Sequence, residues 1–416
     1  MINYSVGLTV VWLTMCLAAA LLRLRRGDRR VLVIVFVVFY CLFALPLVCD
    51  LFFGPPEYSQ EPGFYYASRD PGARAIYLIF VSLVPLLWLL CLGRQSEYRP
   101  VRETRLPRSR PLRFCLMAML VLPVLLVLYS PNPELYLTYG FVIRQDVSDA
   151  ASNFHAIMNG ATFFAAMSAV GLIAVSRRVW FTLLASFPFL VAAVWLNGKR
   201  AVFGVAVVMI FAALWYRGKI KSLGLALAAP ALLLASFSIL YQGIIRQMRP
   251  GTTTSADLYE NVRVDYSRDT RVQMVAYSLL HPSEMTILDF PGQTVLFDIG
   301  AWIPRSVWPE KPYPYAVYFT SAMLGQPVQD MGWGMTTSLF DEVISNIGWS
   351  GLLLGPLIIG FVCWTGESTR DPLVILLTVV VACLLMSVEL VAFAPLFALW
   401  GALVIKRKVR WTPQCA

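Results

Sequence analysis

The run VLVIVFVVFYCLFALPLVCDLFF, residues 31–53, carries a single charge, Asp50. About 20 consecutive apolar residues are enough to cross the hydrocarbon of a bilayer as a helix, the one open-ended structure that pairs its own backbone groups there. A chain with such a run is constrained to place it in a membrane. Ten further stretches read the same way, so that spans are expected near 4–22, 31–53, 75–93, 114–129, 156–175, 179–196, 201–216, 222–242, 346–364, 372–388 and 391–405. The last two come from one run with Glu389 and Pro395 in its middle, too long for one helix and divided here into a hairpin. With 58% apolar and 14% charged residues, the composition is far from the roughly one half and one quarter of soluble domains.

The net charge of +10 comes in short bursts between the apolar runs, a pattern that sets topology rather than one that binds nucleic acid. Tyr4 to Leu22 lacks a basic leader and is followed by RLRRGDRR, which reads as a retained first helix with its N-terminus outside. Alternating the loops from there puts 22 basic residues inside and 12 outside, with the C-terminus in the cytoplasm. Eight cysteines without a CxxC pair indicate neither a disulfide framework nor a structural zinc site.

This layout divides the chain into a membrane domain over 1–242, a long extracytoplasmic loop over 243–345, and a second membrane domain with a basic tail over 346–416. Loops of such length are usually functional. A helix is expected from Arg268 to His281, ended by Pro282, then an extended proline-rich stretch, PRSVWPEKPYPYA, and a short helix over 316–324. Trp302, Trp308, Tyr313, Tyr315, Tyr318, Phe319 and Trp333 suit a surface at the lipid interface or a face on which sugar rings stack.

Several residues in this loop could carry chemistry. Arg246, Arg249, Arg263, Arg268, Arg271 and Arg305 present planar forks that fit phosphate oxygens. Against that, the loop holds eleven acids to seven bases, so the arginines could equally pair with Asp257, Glu260, Asp265 and Asp269. In WLNGKRAVF, Lys199 and Arg200 stand at the start of a helix, where free N–H groups already favour an anion; plain snorkelling is the alternative. His281 can cap the helix before it or take a proton from a sugar hydroxyl, and His155 is a weaker candidate. Glu342 and Glu389 lie at span ends, where an acid is a functional candidate by default, although Glu389 is expected to stay wet in the interface. No HxxH, HExxH or DxD pattern appears, so no metal and no cofactor is expected.

Four segments together, NGKRA, RVDYSRD, IPRSVWPEKP and TTSLFDEVISNIGWSGLL, make the chain resemble the bacterial O-antigen and exopolysaccharide repeat-unit polymerases of the Wzy type, relatives of the O-antigen ligases. The specific part covers about 295–355; Lys199 departs from the small polar residue many relatives carry. The resemblance implies an all-α polytopic fold of about eleven spans, like the C-type glycosyltransferases. The implied activity is metal-independent transfer of a glycan from polyprenyl diphosphate to a new lipid-linked repeat unit, at the outer face of the bacterial cytoplasmic membrane. It also implies a flippase and a chain-length regulator as partners beside the lipid-linked oligosaccharide. Carried onto this chain, Lys199, Arg200, Arg263, Arg268 and Arg271 would hold the diphosphate, Arg305 would stabilise its developing charge, and His281 or Glu342 would activate the acceptor. Trp302, Trp308, Tyr315 and Trp333 would stack on sugars. The competing expectations are an O-antigen ligase acting on a lipid A core and, from another class, a transporter of lipid-linked sugars.

Overall fold

A computed structural model describes residues 2–28, 30–93, 110–137, 149–198, 200–241, 258–303, 305, 307–331 and 334–409. The described residues are helical with no strand. Seven stretches are long and apolar enough to cross a membrane: Tyr4–Arg25, Val31–Phe53, Pro71–Cys91, Arg110–Val127, Ile157–Val175, Val179–Asn197 and Leu339–Glu367. The other four segments expected to span are helices too, but their apolar stretches are shorter. The chain divides into two compact units, one formed by 1–100 with 253–416 and the other by 101–252. Contacts thus group the first helices with the last ones, a different partition from the one that hydropathy draws along the chain.

The first unit begins with α1 (Ile2–Arg25), α2 (Val31–Phe39), α3 (Leu45–Phe53), α4 (Pro62–Arg69) and α5 (Pro71–Gly93). The second contains α6 (Arg110–Val127), α7 (Asp149–Val175), α8 (Val179–Asn197), α9 (Arg200–Tyr216) and α10 (Leu223–Leu240). Its core is rich in alanine, with Ala165, Ala166 and Ala169 against Ala193 and Ala206, and small side chains let helix backbones approach where no hydrophobic force drives them together. The first unit resumes with α11 (Leu258–Tyr266), α12 (Asp269–Leu280), α13 (Gln293–Ile299) and α14 (Tyr315–Leu324). It ends with α15 (Leu339–Ile347), α16 (Gly351–Glu367), α17 (Pro372–Leu385) and α18 (Ala394–Val409).

The joint between α2 and α3 anchors a distant part of the same unit. Pro46 has no N–H to donate to the carbonyl four residues back, which is that of Leu42. The chain passes Tyr40–Ala44 as a π-helical turn, a common way to absorb a break in the ladder. The released carbonyls find other partners: Leu42 O accepts the Arg268 N–H at 3.1 Å, and Phe43 O accepts the Tyr77 hydroxyl. The start of α12 is therefore bonded by backbone to the middle of a candidate span. Around the joint, Phe43 and Phe80 meet the Phe340 ring edge-on at 5.2 and 5.3 Å, tying α15 to α5 and to the turn.

The expected helix at 268–281 forms, but its environment is not that of an amphipathic surface helix. Every residue from Asp269 to Ser278 is buried, because α12 packs against α4, α5 and α15. Its polar residues must then find partners inside the protein. On the neighbouring contact, a Cβ at Gly63 of α4 would lie 2.8 Å from Met323 Cα, so α4 and α14 approach through glycine.

Candidate functional site: an arginine-lined cleft

Arg263 extends from α11 between two carboxylates. Its Nη1 and Nη2 donate to Asp269 at 2.7 and 2.8 Å, while Nε and Nη2 donate to Asp50 at 3.2 and 2.9 Å. Asp50, the lone charge of residues 31–53, also accepts the Tyr259 hydroxyl at 2.5 Å. Burial alone works against the Arg263 charge; Asp269, with Tyr58 and Asp50, outweighs it and holds the group above its ordinary value. The fork is saturated by carboxylates, the arrangement a buried arginine needs.

Arg271 is 1% exposed and spends its donors on main-chain carbonyls: Thr336 at 2.7 Å, Val264 at 2.9 Å, and Ser267. Burial pulls its pKa down to about 10, resisted by Asp341 and then Asp265, so it stays charged at neutral pH. Arg268 is buried and reaches the Ser387 carbonyl at 2.9 Å and the Thr336 hydroxyl at 3.2 Å. These three arginines, one or more of which were expected to hold a lipid diphosphate, are spread through the packing of α11, α12 and the approach to α15. Of the three, Arg263 lines a cleft.

That cavity is a cleft of about 120 Å³ lined by Asp50, Tyr58, Arg69, Arg74, Arg263 and Gln273, among others. At about 10–15 Å³ per water it has room for on the order of ten waters, enough for a diphosphate. Arg69 lies over the Tyr65 ring at 3.7 Å and donates to the Glu57 carbonyl at 3.3 Å. Arg74, half-buried on the first turn of α5, makes no side-chain hydrogen bond or ion pair among the described residues. Gln273 is 6% exposed and its amide likewise has no partner among them, although it lines the cleft. Tyr58 adopts φ of 52°, unusual for a bulky residue, and is held there by its hydroxyl 2.9 Å from the Thr270 Oγ1. Three cations thus converge on a cleft with one carboxylate.

His281 ends α12, as expected of a cap: its N–H donates to Tyr277 O at 2.8 Å. Its Nε2 lies 3.3 Å from Asp70 Oδ2, and its side chain is 35% exposed. Asp70 sits in sequence between Arg69 and Arg74 and caps α5 through the Ala73 N–H at 2.6 Å. Asp70 thus ties the end of α12 to the start of α5.

The other expected site residues are placed elsewhere. Glu342 is buried and accepts the Thr294 hydroxyl at 2.8 Å, and Asn346 donates to the same hydroxyl at 2.7 Å; the acid is closed into the contact of α13 with α15. Ser338 and Asp341 form a capping box at the start of α15. Arg305 donates to the Lys311 and Pro312 carbonyls at 2.7 and 3.2 Å, and Lys311 donates back to Ala301 and Ile303 at 2.8 and 3.0 Å. The two cations staple the proline-rich loop, and Trp308 lies so close over Gly300 that a Cβ there would be 2.6 Å from the ring. Tyr315, expected to stack on sugar, is instead 1% exposed, with its hydroxyl on the Asp341 carbonyl and Ser345. Trp302 is 81% exposed. Glu389, expected to stay wet, accepts the Ala316 N–H at the start of α14 at 3.2 Å. His155 is buried in the second unit, 3.5 Å from the Tyr136 hydroxyl. Lys199, Arg246, Arg249, Asp257 and Trp333 lie outside the described residues, as does the side chain of Arg200.

Asp298 on α13 gives a pH signature. Burial first, and the Glu389 carboxylate second, raise it from 3.8 to about 6. The fold therefore favours the neutral acid, and the resulting stabilisation is fully present below 3.8 and lost as pH rises through about 6. Asp298→Asn is expected to raise the unfolding midpoint at about pH 8 and to give no gain at about pH 4. Thermal unfolding in detergent at both pH values checks this; a gain of equal size at both would refute it.

Arg69 and Arg74 were legible in the sequence only as topology charges in a short loop. Asp50 carried a better signal, since an acid inside an apolar run needs a partner. The described residues define a class: a polytopic membrane protein, helical where described, with a cleft lined by Arg69, Arg74, Arg263 and Asp50 at the end of one candidate span. Beyond that class, the chain matches no family model, no curated protein and no solved structure.

Proposed function

We propose that this protein is a glycosyltransferase that polymerises oligosaccharide repeat units carried on a polyprenyl diphosphate, acting at the outer face of a bacterial cytoplasmic membrane. The observation that carries the reading is the cleft of Arg69, Arg74 and Arg263 with the unpartnered Gln273 amide. The sequence resemblance to the repeat-unit polymerases supplies the substrate class.

In this reading the lipid diphosphate lies against Arg74 and Arg69, with Arg263 behind them. The acceptor hydroxyl attacks the anomeric carbon, the glycosidic bond to the diphosphate breaks, and the leaving phosphate gains charge that fixed guanidinium groups stabilise without reorganising. His281, oriented by Asp70, takes the hydroxyl proton. General base catalysis contributes about 10²–10⁴-fold, so His281→Ala should lower the turnover by at least about a hundredfold with little change in KM. An equal loss in KM and turnover would assign the histidine to binding instead. Arg200 and Arg305 remain expectations from the resemblance, and the structure gives Arg305 a loop-stapling role first.

The test is the purified protein in liposomes with a lipid-diphosphate repeat unit, beside Arg74→Ala, Arg200→Ala, Arg268→Ala and Arg305→Ala. A ladder of chain lengths on the polyprenyl lipid is expected from wild type. Transfer to a lipid A core without a ladder would make the protein a ligase. Loss of wild-type activity in EDTA would overturn metal independence.

A further inference from the structure

Between α13 and the stapled loop, five large apolar side chains stand open within thirteen residues: Val295 and Leu296 at 46%, Ile299 at 70%, Trp302 at 81% and Val307 at 74% exposure. None belongs to a stretch long enough to span a membrane. Single exposed apolar residues are ordinary, but a cluster of this density on one short segment is not.

The depth of this segment is fixed by its attachment. Thr294 binds α13 to α15 through its N–H to Asn346 Oδ1 at 3.3 Å and its hydroxyl to Glu342 at 2.8 Å. The helix α15 opens the candidate span Leu339–Glu367. Directly after Asn346, that span exposes Ile347, Trp349, Leu353 and Leu354, an apolar surface suited to lipid in a membrane-crossing helix. The open face of α13 thus adjoins a lipid-facing surface. Its neighbours suit the boundary between lipid and water: a free tryptophan, and Arg305 over the Tyr313 ring at 4.2 Å.

We propose that α13 and the loop through Val307 dock into the interfacial layer of the bilayer, with Ile299, Trp302 and Val307 inserted among lipids. The occupant of this face is lipid rather than a second protein. The stapling of the loop by Arg305 and Lys311 then holds three insertion points at one level. The proposal does not depend on the glycosyl-transfer reading.

The experiment places photoreactive benzoylphenylalanine at position 299, 302 or 307 of the full chain in phosphatidylethanolamine and phosphatidylglycerol vesicles. Position 354, on the exposed side of α16, is the lipid-facing control, and position 284, 61% exposed at its side chain, is the aqueous one. Irradiation is expected to give phospholipid adducts at 299, 302 and 307 at about tenfold or more the yield at 284. Adducts at 354 with none at the three positions would overturn the proposal. So would crosslinks from those positions to another copy of the chain.

Discussion

Arg263→Ala is expected to destabilise the protein by about 3–5 kcal/mol, because it leaves two buried carboxylates without their cation. Asp269 is 0% exposed and cannot recover its lost partner from water, while Asp50 reaches water only through the cleft, with 14% of its side chain exposed. The damage should spread, since α11, α12 and the end of α3 meet at this one guanidinium. Cutting one carboxylate instead tells the difference: Asp50→Asn keeps Arg263 paired with Asp269 and should cost clearly less. Thermal unfolding of the detergent-solubilised variants measures both. If Arg263→Ala unfolds within about 2 °C of wild type, the pair network does not hold these helices.

The second large effect is functional. Arg74→Ala is expected to leave the unfolding midpoint unchanged, because the side chain makes no described bond, while lowering transfer from the lipid diphosphate roughly ten- to a hundredfold. That range follows from about 1.5–3 kcal/mol for one hydrogen bond to a charged group. Arg74→Lys should restore only part of it, since an ammonium cannot grip two phosphate oxygens at once. Full activity in Arg74→Ala would remove the cleft from the proposed mechanism. The pairing of these two arginines is informative: one lines the cleft while holding the fold, the other lines it while holding nothing.

The helices were largely legible in the sequence because apolar runs and their breakers are local signals. The helix over 268–281 was visible from its periodicity and Pro282, whereas nothing in the proline-rich string announced that Arg305 and Lys311 staple it through main-chain carbonyls. The burial of α12 on every side was not visible. Its sequence mixes Thr270, Arg271 and Gln273 with apolar residues, which reads as an amphipathic surface until the carbonyls of Ser267, Val264 and Thr336 are seen to absorb the arginine. Such pairings join residues distant in sequence or use the backbone, which carries no letter. For the same reason the arginines of RVDYSRDTRVQ left an anion site and pairing with nearby acids equally open, and Arg263 takes the second course with Asp269. The cleft joins Arg69 and Arg74 to Arg263 across nearly two hundred positions, and no spacing rule reaches that far.

The bond from the Arg268 N–H to the Leu42 carbonyl bears on how such a protein can change over time. A joint made only of main-chain atoms makes no demand on the side chains at either end. Residue 42 can drift, and the segment stays hung on its span as long as position 46 keeps the proline that exposes the carbonyl; position 268 is held separately, by its side chain on Ser387 and Thr336. Side chains elsewhere in the segment can then diversify on a mounting that is nearly blind to them.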